Sequence, residues 1–319
     1  MTADGRRAGA TRPSVDVVVP FRGTPADLEE LRARLAPLRL RPGDSLVIVD
    51  NTPGREPVEG LGEGVVPVIH AGGRTTPGFA RNSGVARGSA DWLVFLDADV
   101  VPPADLLDRY FDPPPSERIA LIAGGVLDEA APARGKAVPR YLYIRRSMSQ
   151  DDTFRFDSWG FPKTANAACR RAAFEAVGGF REDIRSAEDA DLSYRLRGAG
   201  WEVERRESAV VTHRSRQTVR GFVAQKALHG AGAAWIARNH PGAFPARRRP
   251  GLVWWGLRTA AKGLFAAARS GDRDKALWAL FEPLEQLTVE FGRSLPNERP
   301  VPRRSLLGRL VIPREEESH

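Results

Sequence analysis

Short apolar runs alternate with helix-like segments over the first hundred residues of the chain. The runs are rich in β-branched side chains, as expected of strands that are buried on both faces of a parallel sheet, and they lie at 15–19, 46–49, 65–69 and 92–96. The intervening segments 26–36 and 78–88 are predicted helices. Strand and helix in alternation predict right-handed βαβ crossovers, and hence a Rossmann-like α/β fold with a mostly parallel sheet flanked by helices.

The rest of the chain is less regular. Residues 127–163 are polar and contain three prolines, which predicts a flexible loop over a binding site. Further helices are predicted at 170–178, 187–198, 217–238, 252–268 and 275–291, with a linker at 241–250 and a kink at Pro283. These patterns divide the chain into a flexible N-terminal tail (1–13), an α/β domain (14–215) and a helical C-terminal extension (216–319).

Basic residues are concentrated in the C-terminal third. The whole chain carries a formal net charge of +8, whereas residues 214–319 alone carry +10. This surplus favours an anionic partner, either a phosphate-rich molecule or a membrane surface. Trp254 and Trp255 stand among these basic residues, as in a helix that lies on lipid, although a packed helix with a solvated basic face would have the same composition. We expect no nucleic-acid partner, because the basic residues form no recognised reading module.

Several classes of protein are disfavoured. The single cysteine, Cys169, excludes an internal disulfide bond, and the N-terminal residues lack the apolar core of a signal peptide. We therefore expect a cytoplasmic protein, with peripheral contact at the inner face of the membrane left open. No glycine-rich phosphate loop of the kinase or dehydrogenase type follows the first strand, which argues against those two classes of enzyme.

Carboxylates stand at the ends of two predicted strands. Asp50 follows the second strand, Asp97 follows the fourth, and Asp99 lies two residues further on. Ligands of open α/β sheets collect at the carboxyl ends of the strands, so we expect these side chains to share one pocket. Paired carboxylates beside a buried sheet are costly unless they are compensated, and Mg²⁺ or Mn²⁺ would compensate them. An ordinary acidic turn is the alternative.

Five sequence blocks occur in an order that resembles family 2 glycosyltransferases with the GT-A fold. The blocks are VDVVVPFRG, LVIVDN, GFARNSGVARGSADWLVFLDADVVP, TANAACRRAAFEAVGGFRED and SAEDADLSYRLRGAGW, and together they extend over about residues 14–215. The Q-x-x-R-W block of the processive members is not visible after them. The resemblance therefore implies transfer of a single sugar rather than synthesis of a polymer.

The resemblance also implies a role for each matching residue. Nucleotide binding is implied for Pro20, Phe21, Arg22, Asp50, Arg81, Asn82 and Asp97. Asp97 and Asp99 form the D-x-D pair, which with His213 would hold the metal and the donor diphosphate. Asp189 is implied as the general base, with Glu188 beside it. Trp159 and Asn166 are candidate acceptor-binding residues.

The expected reaction is metal-dependent, inverting transfer of one sugar from a nucleoside-diphosphate sugar to the hydroxyl of a small-molecule or lipid-linked acceptor. Mn²⁺ or Mg²⁺ would stabilise the charge that develops on the leaving diphosphate, and a carboxylate would take the acceptor proton. Two alternatives stay open. One is a nucleotidyltransferase of the same fold, and the other is an inactive nucleotide-binding scaffold at a membrane surface.

Overall fold

A sheet of eight strands organises the part of the chain that the structure describes. The computed structural model describes residues 12–55, 66–155, 159–244 and 251–299. Within these ranges the strands are β1 (Val15–Phe21), β2 (Ser45–Asp50), β3 (Val68–His70), β4 (Trp92–Leu96), β5 (Val100–Val101), β6 (Ile119–Asp128), β7 (Asn166–Arg170) and β8 (Glu202–His213). The helices are α1 (Pro25–Leu35), α2 (Pro77–Val85), α3 (Leu106–Tyr110), α4 (Ala137–Arg145), α5 (Asp151–Phe154), α6 (Arg171–Ala176), α7 (Glu188–Gly198), α8 (Val219–Asn239), α9 (Leu252–Ser270) and α10 (Arg273–Gly292).

The strands follow the order β3-β2-β1-β4-β7-β6-β8-β5. β1 pairs in parallel with β2 and β4, and β2 pairs in parallel with β3, so the predicted βαβ half is confirmed. β7 inserts between β4 and β6, antiparallel to both, and β8 then runs parallel to β6. The sheet is therefore mostly parallel, and the carboxyl ends of β1, β2 and β4 open on one edge.

Alternate residues of β1 face two different layers of helices. Val17 and Val19 belong to the core that includes α1 and α3, whereas Val18 belongs to the core that includes α2 and α7. Helix α2 lies so close to the sheet that a Cβ on Gly84 would stand 2.4 Å from Cγ1 of Val18. Only glycine fits at such a crossing. This packing fixes α2, which carries Arg81 one turn earlier, against the sheet.

The C-terminal helices pack onto the α/β part of the molecule. Tyr141 of α4 lies in one cluster with Phe222 of α8 and Phe281 of α10, and α8 also packs against α7. The predicted boundary at residue 215 falls between β8 and α8, but apolar packing continues across it. α10 runs through Pro283 without interruption. None of the described helices combines the length and the hydropathy that a bilayer-spanning helix requires.

Two predictions about flexible segments are corrected. The predicted loop at 127–163 contains the end of β6 and the helices α4 and α5 in its described part. The prolines alone suggest a loop. Pro139, however, lies in the first turn of α4, where the missing N–H of proline is tolerated in a helix. Of the predicted tail, residues 1–11 lie outside the described residues. The Arg12 side chain is buried and pairs with Asp44 at 2.5 Å, so Arg12 belongs to the folded α/β part rather than to a flexible tail.

Candidate active site

The carboxyl ends of β2 and β4 provide the first acidic side chains of the site. Asp50 ends β2, and its carboxylate accepts a hydrogen bond from the N–H of Thr52 and pairs with Arg55 at 2.9 Å. Asp97 directly follows β4, and Asp99 lies in the turn between β4 and β5. Because β2, β1 and β4 are parallel neighbours, these carboxylates lie along one edge of the sheet, as the sequence predicts.

A single buried arginine joins this edge of the sheet to helix α7. Nη2 of Arg81 lies 2.6 Å from Oδ1 of Asp97, and Nη1 lies 2.7 Å from Oε1 of Glu188. The Arg81 side chain is only 4% exposed. Burial acts to lower the pKa of Arg81, but the charges of Asp97 and Glu188 raise it overall, so the guanidinium is permanently charged. Arg81 therefore positions the two carboxylates. The prediction that it binds the nucleotide directly is not supported, because both of its terminal nitrogens are paired.

Asp189 lies in the first turn of α7 and makes no ion pair with a basic side chain in the described part of the chain. Its Oδ1 accepts a hydrogen bond from the N–H of Ala190 at 2.8 Å. Burial, and after it the negative charge of Glu188, raises the pKa of Asp189 to about 7. A carboxyl group with this pKa takes up and releases a proton near neutral pH, which is the property required of a general base.

The backbone just before this turn is strained. Ala187 adopts a φ of 70°, a conformation that is uncommon for residues other than glycine. Helix α8 packs directly on it, because a Cβ on Gly232 would stand 3.0 Å from the Cβ of Ala187. Such strain persists only where the surroundings hold it, and it is concentrated at functional sites. The packing of α8 thus stabilises the turn that orients Glu188 and Asp189.

His213 ends β8 between two carboxylates. Its Nε2 lies 3.4 Å from Oδ2 of Asp99, and its Nδ1 lies 3.6 Å from Oδ1 of Asp128. Burial acts to lower the pKa of His213, but the two carboxylates raise it overall to about 9. Burial acts to raise the pKa of Asp99, but the contact with His213 lowers it overall. The two distances show that Asp99 and Asp128 contact different nitrogens of the imidazole ring, so Asp128 can orient the ring while Nε2 points toward Asp99.

The described residues contain no group of three or more His, Cys, Asp or Glu side chains that could hold a metal ion by itself. Oδ1 of Asp99 is nevertheless buried without a hydrogen-bond partner in the described structure. A carboxylate with a spare oxygen and an imidazole with a carboxylate behind it are both ligands that Mn²⁺ accepts. Asp99 and His213 therefore fit an open cation site whose other ligands would come from a diphosphate and water. Asp97, also assigned to the metal, has one oxygen committed to Arg81.

Two residues predicted to contact the nucleotide have structural roles instead. Phe21 is 5% exposed and belongs to the core, so its ring is not available to stack on a base. The side chain of Asn82 donates to the carbonyl of Phe180 at 2.9 Å and accepts from the N–H of the same residue at 3.0 Å, which braces the segment before α7. Pro20 is half-buried in β1, and Arg22 is exposed just beyond the end of that strand.

Asn166, predicted to bind the acceptor, lies in the interior. It is fully buried, and its amide nitrogen donates to the carbonyls of Gly125 at 2.9 Å and Ala209 at 2.7 Å. Its oxygen accepts a hydrogen bond from the hydroxyl of Tyr110 at 2.7 Å. These bonds connect β7 to its surroundings and leave no exposed surface for an acceptor. Asn166 therefore has a structural role and cannot contact an acceptor.

Trp159, the other candidate for the acceptor site, is half-buried beside α7. Its ring packs edge-on against Tyr194, with ring centroids 4.9 Å apart. The hydroxyl of Tyr194 donates to the carbonyl of Trp159 at 2.9 Å. Because Tyr194 lies on α7, which carries Asp189 in its first turn, the tryptophan flanks the α7 side of the candidate cleft, the space between that turn and the carboxyl ends of β2 and β4.

Sequence reasoning missed three polar residues near the cleft, namely Arg55, Asp128 and Lys163. The Lys163 Nζ donates to the carbonyls of Ser147 and Ser149, at 3.1 and 2.6 Å, and burial lowers its pKa to about 8. A signal for Asp128 existed, because it ends an apolar run just as Asp50 does. Arg55 and Lys163 stand in irregular segments that carry no comparable signal.

The chain is similar to known proteins in sequence and in fold. Residues 92–280 match the family model described as glycosyl transferase family group 2. The chain is 31% identical over 244 residues to a pre-mycofactocin glycosyltransferase found in two strains of Mycobacterium tuberculosis, an alignment that covers 73% of this chain and 50% of the relative. The chain thus spans about half the length of the curated relatives it matches.

Among solved structures, the fold is similar to that of the mannosyltransferase PcManGT from Pyrobaculum calidifontis in complex with GDP-Man and Mn²⁺. The TM-score is 0.55 and the sequence identity 18%, and the match covers 89% of this chain and 85% of that one. This similarity confirms the α/β fold of the GT-A type. Because the family model matches more than half of the residues, we conclude that the chain belongs to glycosyl transferase family group 2.

Proposed function

We propose that the chain catalyses metal-dependent, inverting transfer of one sugar from a nucleoside-diphosphate sugar to an acceptor hydroxyl. The observation that carries the proposal is the Arg81 bridge, whose nitrogens lie 2.6 Å from Asp97 and 2.7 Å from Glu188. It links Asp97 of the D-x-D pair to Glu188 at the start of α7, which supports a shared site for donor and acceptor. A single displacement requires this proximity, because the acceptor must lose its proton while the donor diphosphate departs.

Asp189 is the proposed general base. Oδ1 accepts a hydrogen bond from the N–H of Ala190, and Oδ2 would take the proton of the acceptor hydroxyl as that oxygen attacks the anomeric carbon. The raised pKa of Asp189, about 7, suits this transfer. Glu188 forms an ion pair with Arg81, which fixes the start of α7, and its negative charge helps to raise the pKa of Asp189. One displacement inverts the anomeric centre, and no covalent bond forms between the sugar and the protein.

Asp99 and His213 are the proposed metal ligands. The unpaired buried oxygen of Asp99 supports this assignment, as does the presence of Mn²⁺ with GDP-Man in the complex of PcManGT. When bound, Mn²⁺ or Mg²⁺ stabilises the negative charge on the leaving diphosphate. The exposed Arg22 beyond β1 is the proposed contact of the nucleoside, and the buried Asp50 at the end of β2 holds Arg55 at the same edge of the sheet.

The proposed acceptor is a small molecule or a lipid-linked compound with a free hydroxyl. Trp159 would contact it, because its half-buried ring flanks the helix of the proposed base. The curated relatives are named for pre-mycofactocin, but the chain spans only half their length. We therefore propose the acceptor by chemical class alone. For the place of reaction we propose the cytoplasm, with contact at the inner face of the membrane left open.

Thermal unfolding in the presence of Mn²⁺ and a panel of nucleoside-diphosphate sugars tests the proposal. The true donor should raise the Tm, because a ligand present at a hundred times its Kd adds about 2.7 kcal/mol to the stability of the folded state. Asp189→Asn should keep this increase and lose transfer. Asp99→Ala should lose the part of the increase that depends on Mn²⁺. Asp91→Asn, which changes an exposed carboxylate at the amino end of β4, should leave both properties unchanged.

Three results would contradict the proposal. Donor binding without turnover toward any acceptor would indicate a scaffold. Release of pyrophosphate from a nucleoside triphosphate and a sugar phosphate would indicate a nucleotidyltransferase. Full transfer activity in Asp189→Asn would remove the proposed base.

A further inference from the structure

Helix α9 turns one long side away from the rest of the protein. Gly256 and Ala267 are its buried residues. Val253, Trp254, Leu257 and Phe265 point away from the protein and are 61%, 70%, 62% and 66% exposed. Their spacing places them on one side of the helix, together with Leu264. A contiguous group of large, exposed apolar side chains on a single element is typical of a binding surface.

The charges on α9 all have the same sign. Its 19 residues include Arg258, Lys262 and Arg269 and no acidic residue. All three basic residues are exposed. Their spacing of four and seven residues aligns them along one edge of the apolar side. The Arg269 guanidinium lies 5.8 Å from the centre of the Phe265 ring, so its charge stays close to the apolar surface.

We propose that this outer face of α9, made of the apolar and basic side chains named above, docks on an anionic lipid bilayer with the helix axis in the plane of the surface. An apolar strip edged by basic residues is the pattern of helices that lie in the interface of a membrane. Tryptophan, which is 70% exposed at position 254, is enriched in that layer because its ring is both apolar and polar. The basic edge would lie among the anionic headgroups.

Charge also disfavours a second copy of the chain as the occupant. In a symmetric dimer the same face meets itself, so the basic edges would need acidic residues of α9 as complements. The helix has none. A bilayer that contains anionic lipid provides both the apolar depth and the negative charge that the face lacks. This inference does not depend on the proposed sugar transfer.

Co-sedimentation of the full-length chain with lipid vesicles tests the docking. Binding should be at least about tenfold tighter to vesicles of equal parts phosphatidylcholine and phosphatidylglycerol than to vesicles of phosphatidylcholine alone, since each basic residue near the surface contributes to the attraction. Trp254→Ala/Phe265→Ala should lose the binding and keep the Tm, because both side chains are exposed.

Arg258→Glu/Lys262→Glu should lose the preference for phosphatidylglycerol. Arg39→Glu/Arg87→Glu makes the same change of charge at two exposed positions outside α9 and should bind like the unchanged protein. The proposal is overturned if the chain binds neither kind of vesicle, or if the α9 variants bind as well as the control. It is also overturned if light scattering shows a dimer that Trp254→Ala/Phe265→Ala dissociates, because the face would then serve a second copy.

Discussion

Replacing Asp189 by Asn should stabilise the fold at high pH while it abolishes activity. Burial and the charge of Glu188 raise the pKa of Asp189 from 3.8 to about 7 in the folded protein. Between these values the folded state binds more protons than the unfolded state, so the stability that depends on Asp189 falls as the pH rises through this range. Asparagine cannot ionise and therefore removes this loss.

The size of the effect follows from the same shift. Each pKa unit corresponds to about 1.36 kcal/mol, so three units set a ceiling of about 4 kcal/mol. Asp189 is half-buried and shares its electrostatic environment with Glu188, and solvent screening reduces the expected gain to about 1–2 kcal/mol. Asp189→Asn should thus be more stable than the parent at pH 8, with an advantage that shrinks toward zero as the pH falls to about 4.

Denaturant unfolding at a series of pH values measures this difference. Asp44→Asn is the matched control with the opposite sign, because the pairing with Arg12 lowers the pKa of Asp44 even though burial acts to raise it. That variant should lose stability at neutral pH and lose less in acid. Equal destabilisation of Asp189→Asn at every pH would refute the reasoning. In the parent protein, kcat/KM should rise with pH through about 7, because Asp189 must be ionised to accept a proton.

Three further changes test other parts of the structure. Arg81→Lys should lower both kcat/KM and the Tm, because one ammonium group cannot hold two carboxylates, whereas Arg87→Lys at an exposed position should change neither. Gly84→Ala should cost about 1–3 kcal/mol in denaturant unfolding, since its Cβ would collide with Val18; an unchanged stability would contradict the close packing of α2. Lys226→Met should cost about 3–5 kcal/mol because it leaves buried Glu285 unpaired, and Lys226→Met/Glu285→Leu should recover most of this loss. If the double variant were as unstable as Lys226→Met alone, the unpaired charge of Glu285 would not be the cause of the lost stability.

The parallel half of the sheet could be predicted because each of its strands is a local feature. β1, β2 and β4 are short runs of mostly apolar residues, and chain order alone places their carboxyl ends on one edge. The insertion of β7 between β4 and β6 could not be predicted in this way. It brings together residues from distant parts of the chain in antiparallel pairs, and no local pattern encodes that pairing.

The candidate site shows a similar division. The motif positions Asp97, Asp99 and Asp189 could be named from the sequence, and the bridge between their two clusters makes their proximity explicit. The sequence blocks do not show which of their side chains are buried in the folded protein. Asn166 stands in one of the blocks that resemble the family, but its side-chain amide donates hydrogen bonds to two backbone carbonyls in the interior. Phe21 ends an apolar strand, and its ring continues into the core.

Crystals soaked with Mn²⁺ and a nucleoside diphosphate offer the most direct test of the account. Anomalous scattering locates the manganese independently of the protein density. We predict one peak bound to Asp99 and His213, with the diphosphate beside it in the cleft that Asp189 faces. Manganese bound elsewhere, or a nucleotide outside this cleft, would contradict the assignment of the donor site and the sugar-transfer mechanism built on it.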